Sequence, residues 1–146
     1  MQITTTRFGT LAVDVDDLLH FPKGVIGFED CRHWVLLADP GSSAVGWLQS
    51  AERPATALAV VSPRRFVEDY RIRVGQSQMS SLALSDRDRL FALCVVSKQN
   101  GNCAMNLRAP ILINLDRRIG CQVVTSDEQP LQVELTNPSV QLRKSA

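Results

Sequence analysis

Short β-prone runs broken by turn residues dominate the chain. Leu11-Ala12-Val13-Asp14-Val15 alternates with period two, the pattern of a strand with one wet face. Runs at Trp34–Ala38, Val45–Gln49 and Ala57–Val61 follow, separated by Asp39-Pro40-Gly41-Ser42-Ser43 and Glu52-Arg53-Pro54, both rich in turn-forming residues. Tyr70-Arg71-Ile72-Arg73-Val74 alternates strictly and predicts a strand with Tyr70, Ile72 and Val74 on one face. Phe91–Ser97 is continuously apolar, which predicts a central strand buried on both faces. Asn100-Gly101 signals a hairpin. The next run, Met105–Leu115, contains Pro110, so it is expected to bend there or to lie along a sheet edge. Ile119–Thr125 and Leu131–Leu135 supply two more strands.

Helical signals are sparse. Ser62-Pro63-Arg64-Arg65-Phe66-Val67-Glu68 opens with a capping serine and a first-turn proline, enough for a turn or two. Ser85-Asp86-Arg87-Asp88 predicts another short turn. No apolar stripe persists at helical period for three turns, which argues against a bundle. About nine or ten strands in so short a chain predict an all-β fold, mainly antiparallel, barrel-like or a sandwich, with one or two short helical turns. Residues 1–135 read as a single domain, and 136–146 lose the pattern and read as a frayed tail.

Composition adds little. Apolar residues make up 45% and charged residues 21% of 146 residues, a globular balance. Sixteen basic and fifteen acidic side chains leave +1, unlike a dedicated polyanion binder. The first residues lack a basic head followed by an apolar run, and no run approaches the length of about 18 apolar residues that a membrane helix needs. The expected compartment is the cytoplasm. Cys31, Cys94, Cys103 and Cys121 are too widely spaced for a zinc knuckle and read as plain thiols, with Cys103 the more exposed.

Catalytic constellations are not evident. The histidines are His20 and His33, and an extended Cys31–His33 pair would point to opposite faces. GxGxxG and GxxxxGK[ST] do not occur, and Asp16-Asp17 and Glu68-Asp69 read as solvated turn charges. No cofactor, metal or enzymatic activity is expected. RNA binding by a small β-barrel is the alternative reading, with Arg64, Arg65, Arg71 and Arg73 as its cations. Glu68 and Asp69 among them, and aromatics spread into apolar runs, argue for a mixed-charge solvated face.

Several segments together carry a resemblance. They are Phe8-Gly9, Phe21-Pro22-Lys23-Gly24-Val25-Ile26-Gly27-Phe28-Glu29, Trp47-Leu48-Gln49-Ser50, Pro63 with Tyr70, Asn106-Leu107-Arg108-Ala109-Pro110-Ile111-Leu112-Ile113-Asn114, and Gly120-Cys121-Gln122-Val123-Val124. In order and spacing, from residue 2 to about 135, the chain resembles the flagellar assembly factor FliW family. The resemblance implies a small, barrel-like cytoplasmic protein without enzymatic activity. It implies two partners: the RNA-binding translational repressor CsrA, whose repression of flagellin mRNA is relieved, and flagellin itself, bound as by a chaperone and in exclusion of CsrA. The chain departs from the family in its Arg64, Arg65, Arg71 and Arg73, where relatives carry fewer cations or more acids. Arg143-Lys144 lies beyond the resemblance.

Five residues are candidate partner contacts. Alternation puts Trp47 and Gln49 on one face opposite Leu48; with Leu48 inward, both lie outside, and an exposed Trp beside an amide suits an interface anchor. Phe28 fits either core or contact. Tyr70 shares a face with Ile72 and packs with its hydroxyl at the rim, contact being the alternative. Arg108 is expected to be exposed near the Pro110 bend, where a free edge would accept a partner strand. Gly24 and Gly27 suggest tight bends, and Asn106 and Asn114 suggest side-chain bonds to local backbone.

Overall fold

A computed structural model describes residues 1–99, 101–126 and 133–135. The strands are β1 (Gln2–Thr5), β2 (Gly9–Ala12), β3 (Leu19–His20), β4 (His33–Asp39), β5 (Ser42–Ser50), β6 (Ala57–Val61), β7 (Leu90–Gln99), β8 (Asn102–Met105), β9 (Ile111–Asn114), β10 (Ile119–Gln122) and β11 (Val133–Glu134). One helical turn, α1 (Gln76–Met79), runs into a 3₁₀ turn over Ser80–Leu82, and further 3₁₀ turns cover Val15–Asp17 and Pro63–Arg65. The all-β expectation holds, and among the described residues only the β3–β10 pairing is parallel.

Strand order explains how a short chain builds a large core. The main sheet runs β11-β8-β7-β6-β5-β4-β3-β10-β9, and an additional β7–β9 pairing joins its far end back to β7. Seven strands, β3 to β7 with β9 and β10, thus form a closed circuit. The ten-residue β7 makes this possible: Leu90–Leu93 pair with β9, and Val96–Gln99 with β8. The weakest join is β3–β10, a single pair between His20 and Ile119.

Inside the circuit lie Leu19, Phe21, Trp34, Leu48, Val60, Ile111 and Ile113, none more than 1% exposed. Burying each stabilises the fold by roughly 2 kcal/mol. The outer faces are also covered. The β1–β2 hairpin packs Ile3 and Val13 on Val35 of β4. Tyr70, Met105 and Leu107 cover Trp47, Val61 and Cys94, and Leu82 covers Leu112 and Cys121.

Several expectations are corrected. Val15 leaves the strand for a 3₁₀ turn closed by the Asp17 N–H to Asp14 O bond of 2.9 Å, and is 71% exposed. Residues 70–74 keep their predicted faces, Tyr70 buried and Arg71 and Arg73 exposed, yet form no ladder; Ile72 and Val74 pack under the α1 side of the barrel instead. The Phe91–Ser97 run is not buried on both faces, because Leu90 and Phe91 stand at the barrel mouth, 41% and 49% exposed. Pro110 marks a bend, not an edge: β9 pairs with β10 on one side and β7 on the other, so the expected free edge at 105–115 is already filled. The residue pattern does not announce β1, β3 or α1. At the expected hairpin β7 and β8 pair with Gln99 opposite Asn102, and Gly101 adopts φ +84°; Asn100 lies outside the described residues. Residues 136–146, expected to fray, and Leu131 and Gln132 of the last expected strand lie outside the described residues.

The turn leading into β7 is held by Asp88. Its carboxylate accepts hydrogen bonds from Asn114 Nδ2 (2.9 Å), the Ser85 N–H (3.0 Å) and Arg117 Nε (3.3 Å). Led by the Asn114 bond, these donors pull its pKa from 3.8 to about 2. A carboxyl whose folded pKa is depressed stabilises the fold above its unfolded pKa and ceases to do so as pH falls through the folded value. Stability is therefore expected to fall between pH 4 and 2 more steeply in the native chain than in Asp88→Asn, read by urea titration at each pH. Parallel acid limbs would refute the assignment.

Candidate functional site

The loop between β3 and β4 is shaped by backbone demands. Gly24 adopts φ +66°, and a Cβ there would meet Phe28 O at 2.6 Å and Glu29 Cα at 2.6 Å. Val25 and Phe28 form a bridge across Ile26-Gly27, with the Phe28 N–H to Val25 O bond at 2.6 Å and Gly27 at φ +89°. Ile26 consequently stands at the loop tip, 58% exposed. Gln122 of β10 fixes the tip: its Oε1 accepts the Ile26 N–H (2.8 Å), and its Nε2 donates to Ala109 O (2.9 Å). Phe28 is half-buried, its ring 6.3 Å from Trp34 in an edge-on arrangement, and it leaves one side open.

Trp47 and Gln49 are not on an open face. Leu48 does point into the barrel, but the opposite face of β5 is covered by the β1–β2 turn and the loop after β5. Trp47 is 7% exposed; Phe8 meets it edge-on at 6.0 Å, the Arg7 guanidinium lies 4.2 Å from its ring centroid, and its Nε1 donates to Asp39 Oδ1 (2.9 Å). Gln49 is fully buried, and its Nε2 donates to Ser50 O (3.0 Å) and Pro54 O (3.2 Å), pinning the 50–56 loop. Its Oε1 has no partner among the described residues.

Tyr70 is buried with its hydroxyl donating to Leu107 O at 2.6 Å, so it joins the 70–74 segment to the one after β8. Arg64 Nε donates to Tyr70 O (3.3 Å). Arg108 is exposed, and its N–H bonds Asn106 Oδ1 (2.9 Å), the local role expected of that asparagine. Asn114 acts likewise through its Oδ1, which accepts the Asp116 N–H (3.2 Å), while its Nδ2 donates to the carbonyl of Leu82, distant in sequence (2.9 Å). The five candidates thus do not converge: Arg108 and part of Phe28 face solvent, and Trp47, Gln49 and Tyr70 lie beneath loops.

The surface that sequence reasoning missed is the barrel mouth beside β7. A hollow of about 370 Å³ is lined by Pro63, Arg64, Tyr70, Ile72, Phe91 and Ala92, among others. A second, of about 380 Å³, meets it at Ser62 and is lined by Leu36, Gly46, Val60, Arg65 and Leu93, among others. Leu36 is 42% exposed there. The sequence did carry a signal: the five-residue β6 ends at Ser62-Pro63, whereas its ten-residue neighbour β7 continues past it.

Reactive groups are few. Burial pushes the Cys94 thiol up to about 12 and raises Cys121 as well, the opposite of what a nucleophile needs. His20 and His33 stack at 5.2 Å on neighbouring strands, with Glu52 3.5 Å from His33 Nδ1, whereas Cys31 is buried. Among the described residues no group of three or more His, Cys, Asp or Glu is placed to hold a metal ion, and no helix is long and apolar enough to cross a membrane.

Comparison with known proteins gives a consistent result. The model of the FliW protein family matches residues 2–135. The flagellar assembly factor FliW of Bdellovibrio bacteriovorus is 32% identical over 158 aligned positions, covering 100% of this chain and 90% of that protein. Its counterpart from Desulfovibrio desulfuricans is 36% identical, covering 88% of this chain and 80% of the relative. A crystal structure of a flagellar assembly factor FliW superposes with a TM-score of 0.81 at 24% identity, covering 88% of this chain and 91% of that one, and so shares the fold.

Proposed function

The chain belongs to the FliW family, and from that premise we propose that it is a flagellar assembly factor working in the cytoplasm as a partner switch. It binds the translational repressor CsrA, which frees flagellin mRNA for synthesis, and it binds flagellin as a chaperone, one partner at a time. Free flagellin then occupies the factor, releases CsrA and shuts off its own synthesis, and export of flagellin reverses this. Exclusion of one ligand by the other is a coupling free energy and needs matched surfaces, not bond-making chemistry.

The observation that carries the reading is the family match across residues 2–135. The surface chemistry supports it. Apolar side chains stand out at Leu36, Leu90 and Phe91 around the barrel mouth, as a protein-binding face requires, and Ile26 stands out separately at its loop tip. Of the eight aromatic residues, only Phe91 is more than a third exposed, too few for a base-stacking platform. Phe28 and Arg108 touch a partner directly, and Trp47, Gln49 and Tyr70 act by holding the loops above them.

Purified protein is expected to retain CsrA and, separately, flagellin in pull-downs, with added flagellin displacing CsrA. In a gel shift it should leave flagellin leader RNA unretarded unless CsrA is present. Simultaneous retention of both partners, or retardation of the RNA by this protein alone, would overturn the reading, and the second result would favour direct RNA binding.

A further inference from the structure

Along β7 the backbone groups alternate in direction. Asn106 N–H bonds Val95 O (3.0 Å) and Leu115 N–H bonds Arg89 O (3.1 Å), so odd-numbered residues turn their amides toward β8 and β9. Cys94, even-numbered, lies opposite Val61 at the end of β6. Leu90 and Ala92 therefore direct N–H and C=O toward the β6 side at a level that β6 no longer reaches. There the chain has turned into the 3₁₀ turn at Pro63–Arg65, and a proline has no N–H to offer. No backbone–backbone hydrogen bond on that side of Leu90 or Ala92 occurs among the described residues.

This edge opens into the hollow lined by Tyr70, Ile72, Phe91 and Leu112. Apolar walls lie on both sides of the sheet here: Ile72 and Leu112 on one, Phe91 and Leu93 on the other. Such a slot suits alternate side chains of one extended strand. The charged residues lining the two joined hollows are both cationic, Arg64 and Arg65. Glu68 and Asp69 do not line either of these; they line an adjoining hollow that shares Arg64, Tyr70 and Ile72 with the first.

We propose that the Leu90–Ala92 edge of β7 docks an extended segment of a partner protein, apolar at alternate positions and carrying a carboxylate opposite Arg64. The segment adds a strand where β6 stops, its main chain bonding Leu90 and Ala92 and its acid pairing with the guanidinium. A second copy of this chain fits less well, since symmetric edge pairing about Phe91 brings two Arg64 side chains to one short ladder. The site shares with the partner-switch reading only the premise that its occupant is a protein segment.

The test starts from a displayed library of random 12-residue peptides, selected on the full chain, and continues with a blocked synthetic peptide of the selected consensus. Enrichment of alternating β-branched or aromatic positions with one Asp or Glu is expected. Arg64→Glu should weaken the synthetic peptide at least tenfold, and replacing the peptide's acid with Lys should restore binding to that variant. Ala92→Pro, which removes an N–H that faces away from β9, should weaken it similarly. Should that variant fold poorly, N-methylation of the peptide amides one at a time tests the same bonds on native protein, and alternate positions should abolish binding. Failure to enrich, equal binding by Arg64→Glu, or indifference to N-methylation would overturn the proposal. So would a dimer of this chain that Ala92→Pro dissociates. None of these outcomes alters the pull-downs with CsrA and flagellin, so the two readings fail separately.

Discussion

Gly120→Ala is expected to cost about 3 kcal/mol and to lower the melting temperature by roughly 10 °C. Gly120 lies on β10, opposite Ile113, and an added Cβ would sit 2.3 Å from Phe21 Cζ and 2.6 Å from its Cε1. The ring has no room to yield. It is fully buried and meets the Trp34 ring edge-on at 6.3 Å, and Trp34 is itself fully buried. The alternative is for β10 to move outward, and β10 is joined to β3 by one residue pair beside this contact. Overpacking is thus relieved by opening the barrel at its weakest join. Phe21→Leu in the Gly120→Ala background removes the clashing carbons, so the double variant should be more stable than the sum of the single costs by about 2 kcal/mol. Thermal and urea unfolding of the four proteins decides it. A Gly120→Ala variant within 1 kcal/mol of the native chain, on the order of an ordinary surface change, would show that Phe21 has freedom the structure denies it.

What the sequence made legible follows from what hydrophobic alternation reports. It tells which side of a segment is buried, not whether the backbone is in a ladder. Residues 70–74 illustrate this: Tyr70 is inside and Arg71 and Arg73 are outside, as read, but the main chain bonds elsewhere, for example from Ser126 N–H to Arg73 O at 2.7 Å. Conversely, alternation gives the face of β5 that carries Trp47 and Gln49 but not its exposure, since both are buried. A barrel wall with a second layer on its outside buries both faces, and the layer comes from Phe8, remote in sequence, and from Pro54 in the loop that follows β5. Four residues with Met79 as the one apolar side chain, Gln76–Met79, carry too little pattern to reveal α1. At the mouth beside β7 only the Ser62-Pro63 stop after β6 is legible, because an apolar run reads alike whether a strand is enclosed or overhangs its neighbour. The segments that carry the family resemblance are constrained differently: Phe21, Gly24 and Gly120 all occupy positions where packing or backbone geometry leaves few substitutes.

Gly24→Ala should separate the loop from the barrel. Two costs act together at this position. An L-residue at φ +66° is disfavoured by about 1–2 kcal/mol, and the new Cβ would lie 2.6 Å from Phe28 O and Glu29 Cα and 2.7 Å from Glu29 O. These are backbone atoms, so relief requires the 24–29 turn to be rebuilt, and the total is expected to reach about 3 kcal/mol if the loop keeps its form. Rebuilding is cheaper than unfolding, because Phe21 and Trp34 stay in the core whatever the turn does. The variant should therefore remain folded while losing the Val25–Phe28 bridge and the Ile26 N–H bond to Gln122. Hydrogen exchange gives the reading: the amides of Ile26 and Phe28 should exchange at least tenfold faster, with those of Leu48 and Ile113 unchanged. If Ile26 is a contact, binding to one flagellar partner falls in parallel while the apolar edge at Leu90–Ala92 still takes its peptide. Uniform acceleration across the barrel would mean that the loop and the core unfold as one unit, and that the tip is not an independent element.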